Sequence, residues 1–114
     1  MKGLRILLVD DEPLMRLSMV DALEAVGHDI EAAASGTEGI DAIHQRPFDL
    51  VITDLRLPGA DGLAVLAAAK ERSPHTEVVM ITAHGSVETA VGAMKLGALD
   101  YITKPFQMDE LLLI

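Results

Sequence analysis

Five short, almost wholly apolar runs are spaced along the chain, and stretches with helical periodicity separate them. This alternation is typical of βαβ units, in which helices cover both faces of a parallel sheet. Strands are predicted at 5–10, 29–34, 50–53, 77–81 and 101–103. We therefore expect an α/β fold built on a parallel sheet.

Four helices are predicted between these strands, and their ends carry capping signals. The first follows Pro13 and ends before Gly27. The second opens with Ser35 and Glu38, spaced as a capping box in which each side chain satisfies the backbone N–H of the other residue. Helical spacing predicts an inner stripe on the first helix that consists of Met15, Met19, Ala22, Leu23 and Val26.

The third helix is predicted from Asp61-Gly62 to Arg72, and the fourth from Ser86. The apolar face of the fourth helix is predicted to consist of Val87, Ala90, Val91 and Met94. A fifth helix begins near Gln107 and is cut off at Ile114, after barely two turns. We therefore expect residues 1–114 to be one domain from the N-terminal part of a longer protein.

Composition excludes several classes of protein. The 114 residues are half hydrophobic, which is enough for one core. The chain has no cysteine, so disulfides and thiolate metal sites are excluded, and a cytoplasmic location is expected. The net charge of −9 argues against direct binding of nucleic acid, which requires clustered Lys and Arg. No apolar run is long enough for a membrane span.

Polar residues stand where four of the apolar runs end. Asp10 and Asp11 close the first run, Asp54 the third, Thr82 the fourth and Lys104 the fifth. Ligands of open parallel sheets bind at the carboxyl ends of the strands, so we expect these side chains to converge. Three carboxylates, a hydroxyl and an ammonium suit a divalent cation held beside a phosphoryl group.

The expected metal is Mg²⁺, which prefers octahedral oxygen ligands and usually keeps several waters. Asp11 and Asp54 are predicted as direct ligands, and Asp10 is expected to hold a bound water. The backbone carbonyl of Arg56 is predicted to complete the set. Zinc is disfavoured because the chain has neither cysteine nor an evident histidine cluster.

Asp54 is the predicted nucleophile, because carboxylates attack phosphoryl groups to form aspartyl phosphates. Mg²⁺ and the Lys104 ammonium would neutralise charge, and the Thr82 hydroxyl and Ala83 N–H would donate to the phosphoryl oxygens. Pro58-Gly59 predicts a tight turn after Asp54. The bond from Lys104 to Pro105 is predicted to be cis, which would aim Lys104 into the crevice.

Together these segments resemble the receiver domain of bacterial two-component response regulators. The strings that carry the resemblance are ILLVDDE at 6–12, D at 54 with LPGADG at 57–62, ITA at 81–83 and KPF at 104–106. The resemblance implies a doubly wound, flavodoxin-like five-stranded parallel sheet in the order 2-1-3-4-5. It also implies that a histidine kinase donates the phosphoryl group to Asp54, and that the domain is not a turnover enzyme.

The family further implies a switch in which Thr82 moves to the phosphoryl group and Tyr101 turns inward. A narrower resemblance, to the nitrogen-regulation class, rests on TAHGSVETAV at 82–91 and on MKLGA at 94–98. That class implies an output ATPase acting on sigma-54 polymerase, a DNA-binding domain and regulation of transcription. A homodimer through the fourth helix and fifth strand is a further expectation.

Each site residue also has an ordinary structural interpretation, which the sequence leaves open. The alternatives are a helix cap for Asp11, a loop carboxylate for Asp54, strand filling for Thr82, a solvated lysine for Lys104 and core packing for Tyr101. Two other functions also remain open. They are a Mg²⁺-dependent phosphatase working through an aspartyl phosphate, and a stand-alone docking receiver without an output domain.

The remaining expectations concern the histidines and the fourth helix. Surface positions are predicted for His28, His44 and His75. The family resemblance implies that His84, like Arg56, tunes hydrolysis of the aspartyl phosphate. Ala93 and Leu96 are predicted to lie on an exposed partner surface of the fourth helix, with burial as the alternative. Gly92 within that helix is expected to loosen it and to ease switching, because an interior glycine costs roughly 0.5–1 kcal/mol against alanine.

Overall fold

A computed structural model describes residues 3–82 and 87–104. Strands and helices alternate in the order predicted from the sequence. They are β1 (Arg5–Val9), α1 (Pro13–Ala25), β2 (Asp29–Ala33), α2 (Gly36–Gln45), β3 (Leu50–Asp54), α3 (Gly62–Arg72), β4 (Glu77–Thr82), α4 (Val87–Lys95) and β5 (Asp100–Thr103). The predicted fifth helix and the predicted cis bond before Pro105 lie outside the described residues.

The five strands form one parallel sheet in the order β2-β1-β3-β4-β5, which confirms the predicted fold class and strand order. Leu8 of β1 stands opposite Ala32 of β2 and Ile52 of β3. This register brings the carboxyl ends of β1 and β3 to the same edge of the sheet. The chain reverses its winding between these two strands, and ligands of such sheets bind at that point.

The sheet separates two layers of core, and this explains why its strands read as continuous apolar runs. Alternate residues of the central strands face opposite layers. Leu7, Val51 and Met80 pack on the side of α2 and α3, whereas Leu8 and Ile52 pack on the side of α1. All of these side chains are fully buried. Burial on both faces fixes the register, because a slip of one residue would exchange the two layers.

The inner stripe of α1 is confirmed for Met19 and Leu23, which are buried, and for Met15, which packs against them. It is wrong for Val26, which is 56% exposed because the helix ends at Ala25. The stripe therefore stops one turn earlier than its spacing suggests.

The predicted capping box of α2 forms only in part. The Ser35 hydroxyl accepts a hydrogen bond from the Glu38 N–H at 3.1 Å. The Glu38 carboxylate, however, accepts from the N–H of Ala34 at 3.0 Å, not from that of Ser35. The cap thus reaches one residue further back, and it ties the end of β2 to the start of α2.

The predicted surface positions of His44 and His75 agree with their exposure. His28 departs from this prediction, because it is half-buried and its Nδ1 accepts a hydrogen bond from the Leu4 N–H at 3.0 Å. This bond links the turn after α1 to the start of β1. His84 lies outside the described residues.

The apolar residues of α4 point mostly away from the core. Val87 is 84% exposed, and Val91 and Met94 are each about half exposed. Leu96, just after the helix, is also exposed, as predicted. The exposed position predicted for Ala93 is wrong, since this residue is fully buried and is the one buried residue of α4. A small side chain on the inner face lets the helix lie close to the sheet.

Within the described residues, no helix has the length and apolar character needed to cross a membrane.

Candidate functional site

Three carboxylates meet at the carboxyl edge of the sheet. Asp10 and Asp11 follow β1, and Asp54 is the last residue of β3. Each can offer one oxygen such that all three oxygens lie within 4.8 Å of one another. Asp10 and Asp54 are buried, whereas Asp11 is exposed. The structure therefore brings together the acidic residues that the sequence placed at separate strand ends.

Lys104 reaches this cluster from the end of β5. Its Nζ lies 3.0 Å from Oδ2 of Asp54 and 3.3 Å from Oδ2 of Asp10. The Lys104 N–H donates to the carbonyl of Thr82 at 2.8 Å, so the backbone is held where the side chain departs. The side chain of this lysine is only 9% exposed. One ammonium thus bridges the two buried carboxylates.

Burial raises the pKa of Asp10, and this effect outweighs the hydrogen bond from the Glu12 N–H and the attraction of Lys104. Burial acts in the opposite direction on Lys104. Its hydrogen bond to Asp54 and the charges of both aspartates outweigh that effect, so the pKa of Lys104 is raised. Both pKa values can be raised together, because the Lys104 ammonium interacts with two carboxylates, whereas those two carboxylates share a single ammonium.

The residue Asp10 is held by its backbone as well as by its side chain. Its N–H donates to the Ala33 carbonyl at 3.1 Å, and its Oδ1 accepts from the Glu12 N–H at 2.9 Å. The Asp10 carbonyl accepts from Nη1 of Arg16 at 2.8 Å. This last contact could not be predicted, because a spacing of six residues from a strand end to a helix matches no regular pattern.

The loop after Asp54 is fixed by the starts of two helices. The Gly62 N–H at the start of α3 donates to the Leu55 carbonyl at 2.7 Å. The Gly36 N–H at the start of α2 donates to the Pro58 carbonyl at 3.1 Å. Gly59 has a φ of +75°, as the predicted Pro58-Gly59 turn requires.

Gly36 must remain small because a Cβ there would collide with the Ala60 carbonyl oxygen.

Arg56, the predicted source of a ligand carbonyl, lies within this loop and is exposed. Its N–H points to Oδ1 of Asp54 over 3.4 Å. The loop is therefore anchored on both sides of Arg56.

The two predicted switch residues occupy neighbouring strands. Thr82 is the last residue of β4 and is fully buried. Tyr101 of β5 is half-buried and packs against the core, while its hydroxyl shares a 2.9 Å hydrogen bond with the hydroxyl of Thr89 on α4. Tyr101 therefore connects the sheet to α4. Ala83, the predicted backbone donor, lies outside the described residues.

The donor set fits a hard divalent cation. Three carboxylates and one ammonium leave two negative charges at the cluster, which is the charge that a divalent ion would balance. The ligands are oxygens, as Mg²⁺ prefers, and exposed Asp11 leaves the cluster open to water. Asp10 and Asp54 each keep an Oδ1 that does not contact Lys104.

Comparison with known proteins agrees with this arrangement. The family model described as "Response regulator receiver domain" matches residues 6–114. The transcriptional regulatory protein TcrA of Mycobacterium tuberculosis is 40% identical over 109 residues, covering 96% of this chain and 43% of that protein. An NtrX-like response regulator of Rickettsia typhi is 40% identical over 116 residues, covering the whole chain and 24% of that protein.

A solved CheY-like receiver domain protein from Methanospirillum hungatei superposes with a TM-score of 0.93 at 34% identity, covering 97% of this chain and 89% of that one. The chain spans less than half the length of the two curated relatives. Similarity to the NtrX-like regulator confirms the predicted resemblance to the nitrogen-regulation class. By its sequence match and its fold, the chain belongs to the family of response regulator receiver domains.

Proposed function

We propose that this domain is a phosphorylation-dependent signalling switch that accepts a phosphoryl group from a histidine kinase onto Asp54. The observation that carries the proposal is the environment of the Asp54 side chain. Its carboxylate is buried at the carboxyl edge of the sheet, is bonded to Lys104 and lies beside Asp10 and Asp11. A nucleophile, a cation and a candidate metal site therefore share one crevice.

Asp11, Asp54 and the carbonyl of Arg56 would hold Mg²⁺, and Asp10 would hold a water bound to it. When bound, the metal supplies positive charge to the oxygens of the phosphoryl group and of Asp54. Lys104 supplies a second positive charge, 3.0 Å from Asp54 Oδ2. Phosphoryl transfer depends mainly on such positioning and neutralisation.

The transfer itself is a substitution at phosphorus. A carboxylate oxygen of Asp54 forms a bond to phosphorus while the bond from phosphorus to the donor's imidazole nitrogen breaks, and that electron pair returns to the ring. The resulting aspartyl phosphate is later hydrolysed by water, which releases inorganic phosphate and restores the carboxylate. The domain is modified stoichiometrically and is not a turnover enzyme.

Transmission of the signal would run through Thr82 and Tyr101. Thr82 would turn towards the phosphoryl oxygens, and Tyr101 would move into the space that it leaves. This inward motion requires the Tyr101 hydroxyl to give up its bond with Thr89, so phosphorylation would loosen the link between β5 and α4. The exposed apolar residues of α4 would then be presented differently to a partner.

The exposed surface of α4 would contact the other domains of a longer regulator. One such arrangement would be a homodimer formed through α4 and β5. The relatives' greater length and the name of TcrA support an output domain that regulates transcription. Similarity to the NtrX-like protein favours an ATPase and a DNA-binding domain of the sigma-54 activator class. The acidic receiver would not contact DNA itself, and its lack of cysteine fits the cytoplasm.

The proposal is tested by incubating the chain with Mg²⁺ and acetyl phosphate and measuring its intact mass. Wild type should gain one phosphoryl group, and Asp54→Asn should gain none. Asp41→Asn, which removes an exposed carboxylate of α2, is the matched control and should be modified like wild type. Undiminished modification of Asp54→Asn would refute the assignment, and repeated turnover of a small phosphate ester would instead indicate a phosphatase.

A further inference from the structure

Arg16 has no part in the phosphorylation scheme above, yet its side chain reaches the site from α1. Its Nη1 donates to the Asp10 carbonyl over 2.8 Å. The Arg16 backbone is also fixed, because its N–H donates to the Glu12 carbonyl at 2.9 Å in the first turn of the helix. The guanidinium is therefore anchored at a defined distance from the end of β1.

The Asp10 carbonyl is the group of this residue that Arg16 contacts. β1 ends at Val9, so this carbonyl lies beyond the strand. The other polar groups of Asp10 bond to Ala33, Glu12 and Lys104. Arg16 satisfies the carbonyl with a charged donor, and such bonds are stronger than those between neutral groups.

That carbonyl belongs to the peptide group that joins Asp10 to Asp11. A peptide group is planar, so the direction of its C=O also determines the direction in which the chain enters Asp11. Asp11 is exposed and follows directly. Whatever holds the Asp10 carbonyl therefore also determines from where the Asp11 carboxylate can reach a cation.

We propose that Arg16 is a positioning residue for the metal site, which orients the Asp10–Asp11 peptide so that Asp11 meets the cation. This inference rests on the proposed function. Removal of a residue that holds a metal ligand in place typically lowers metal affinity 10–100-fold. Because Arg16 holds the backbone next to a ligand, we expect an effect of about tenfold, at the lower end of that range.

The test compares Mg²⁺ dissociation constants of the full chain, measured by calorimetric titration, with unfolding temperatures measured in EDTA. Arg16→Met removes the donor and keeps most of the stem, so its affinity should fall about tenfold. Arg16→Lys keeps a charged donor and should recover most of the loss. The matched control is Arg46→Met, which changes the net charge equally and breaks the 2.7 Å ion pair with Glu31.

The comparison is repeated at high salt, because screening removes the long-range effect of a lost charge but not a change in geometry. The proposal requires that the loss of Mg²⁺ affinity in Arg16→Met persists at high salt and exceeds the loss in Arg46→Met. It is overturned if the loss vanishes at high salt, or if only the unfolding temperature changes. Wild-type affinity in Arg16→Met overturns it while the proposed function stands. If wild type itself binds no Mg²⁺ at millimolar concentration, both fail.

Discussion

Helices α3 and α4 follow neighbouring strands of the same sheet, yet they are held very differently. Four residues of α3 are buried, among them Val65 and Leu66, and its start is capped by the Asp61 side chain at 2.9 Å from the Ala64 N–H. In α4 only Ala93 is buried, and the larger apolar side chains are exposed. One helix is thus fixed by packing, whereas the other is attached through a small side chain and a hydroxyl contact.

The difference matches the tasks proposed for the two regions. α3 begins directly after the loop that carries Arg56, so its firm packing keeps the segment proposed to bind the metal in place. α4 is connected to β5 by the bond between Thr89 and Tyr101, a contact that can be exchanged at little cost. Elements that move in signalling are drawn from the less stable parts of a fold. The site is therefore built on firmly packed elements, and the output proposed for it on a loosely held one.

The largest expected effect comes from comparing a core residue of α3 with an exposed apolar residue of α4. Leu66→Ala in α3 should lower the free energy of unfolding by about 2–5 kcal/mol, because it leaves a cavity in a closely packed layer. Val91→Ala in α4 should change it by less than about 0.5 kcal/mol. Urea unfolding measures both. Equal losses would show that α4 is packed as firmly as α3.

A second, smaller effect concerns the candidate site, where the buried carboxylate of Asp10 lowers the stability of the fold. Since burial raises the pKa of Asp10, the folded chain binds this proton more tightly than the unfolded chain. Stability should therefore fall as the pH rises from the ordinary value of 3.8 through the raised pKa of the folded state. Asp10→Asn removes this dependence and should gain about 0.5–2 kcal/mol at neutral pH.

Thermal unfolding in EDTA between pH 3 and pH 7 checks this prediction. The advantage of Asp10→Asn should be largest at neutral pH and should shrink towards acid. A variant less stable than wild type at pH 7 would contradict it, and would mean that the attraction of Lys104 outweighs the cost of burial.

A third effect tests the link to α4. Thr89→Val and Tyr101→Phe each remove one partner of the 2.9 Å bond, so each should cost about 0.5–1.5 kcal/mol. In a double-mutant cycle the two losses should not add, because both remove the same bond. After treatment with beryllofluoride and Mg²⁺, the coupling should vanish if Tyr101 has turned inward. Coupling that persists in that state would rule out the proposed switch.

The smallest effect concerns Gly92 within α4. A Cβ at this position would meet no atom outside the neighbouring backbone of its own helix within 4 Å, so Gly92→Ala meets no obstacle. It should stabilise the helix by roughly 0.5–1 kcal/mol and lower the fraction of active conformer, which NMR can measure. The matched control is Gly36→Ala, where the collision with Ala60 should destabilise the chain instead. Unchanged helix order and active fraction in Gly92→Ala would refute the loosening role.

Much of the fold could be predicted because the central strands β1, β3 and β4 are buried on both faces and a polar residue stands at the end of each. That pattern places Asp10 and Asp54 at one edge without any knowledge of long-range contacts. Periodicity was less informative for α4. It identifies an apolar face, but it cannot tell whether that face or the one bearing Ala93 packs on the sheet.

Two contacts at the ends of elements, one beside the site and one at the start of α2, could not be predicted for a similar reason. The Arg16 guanidinium reaches a carbonyl across the turn between β1 and α1, and such a contact depends on the path of the turn rather than on spacing. The Glu38 carboxylate likewise selects Ala34 over Ser35 because of the local direction of the backbone. The group that a side chain contacts at the end of a helix or strand depends on the local backbone path, which residue type alone does not determine.

The bridging position of Lys104 also bears on the order in which the molecule assembles. Its bond to Asp10 joins residues 94 positions apart, and its bond to Asp54 joins residues 50 positions apart. During synthesis the two buried carboxylates exist long before their counter-charge has been made. Contacts of such long range form late in folding. The reactivity proposed for Asp54 would therefore arise only when β5 has docked, and a partly folded receiver would not accept a phosphoryl group.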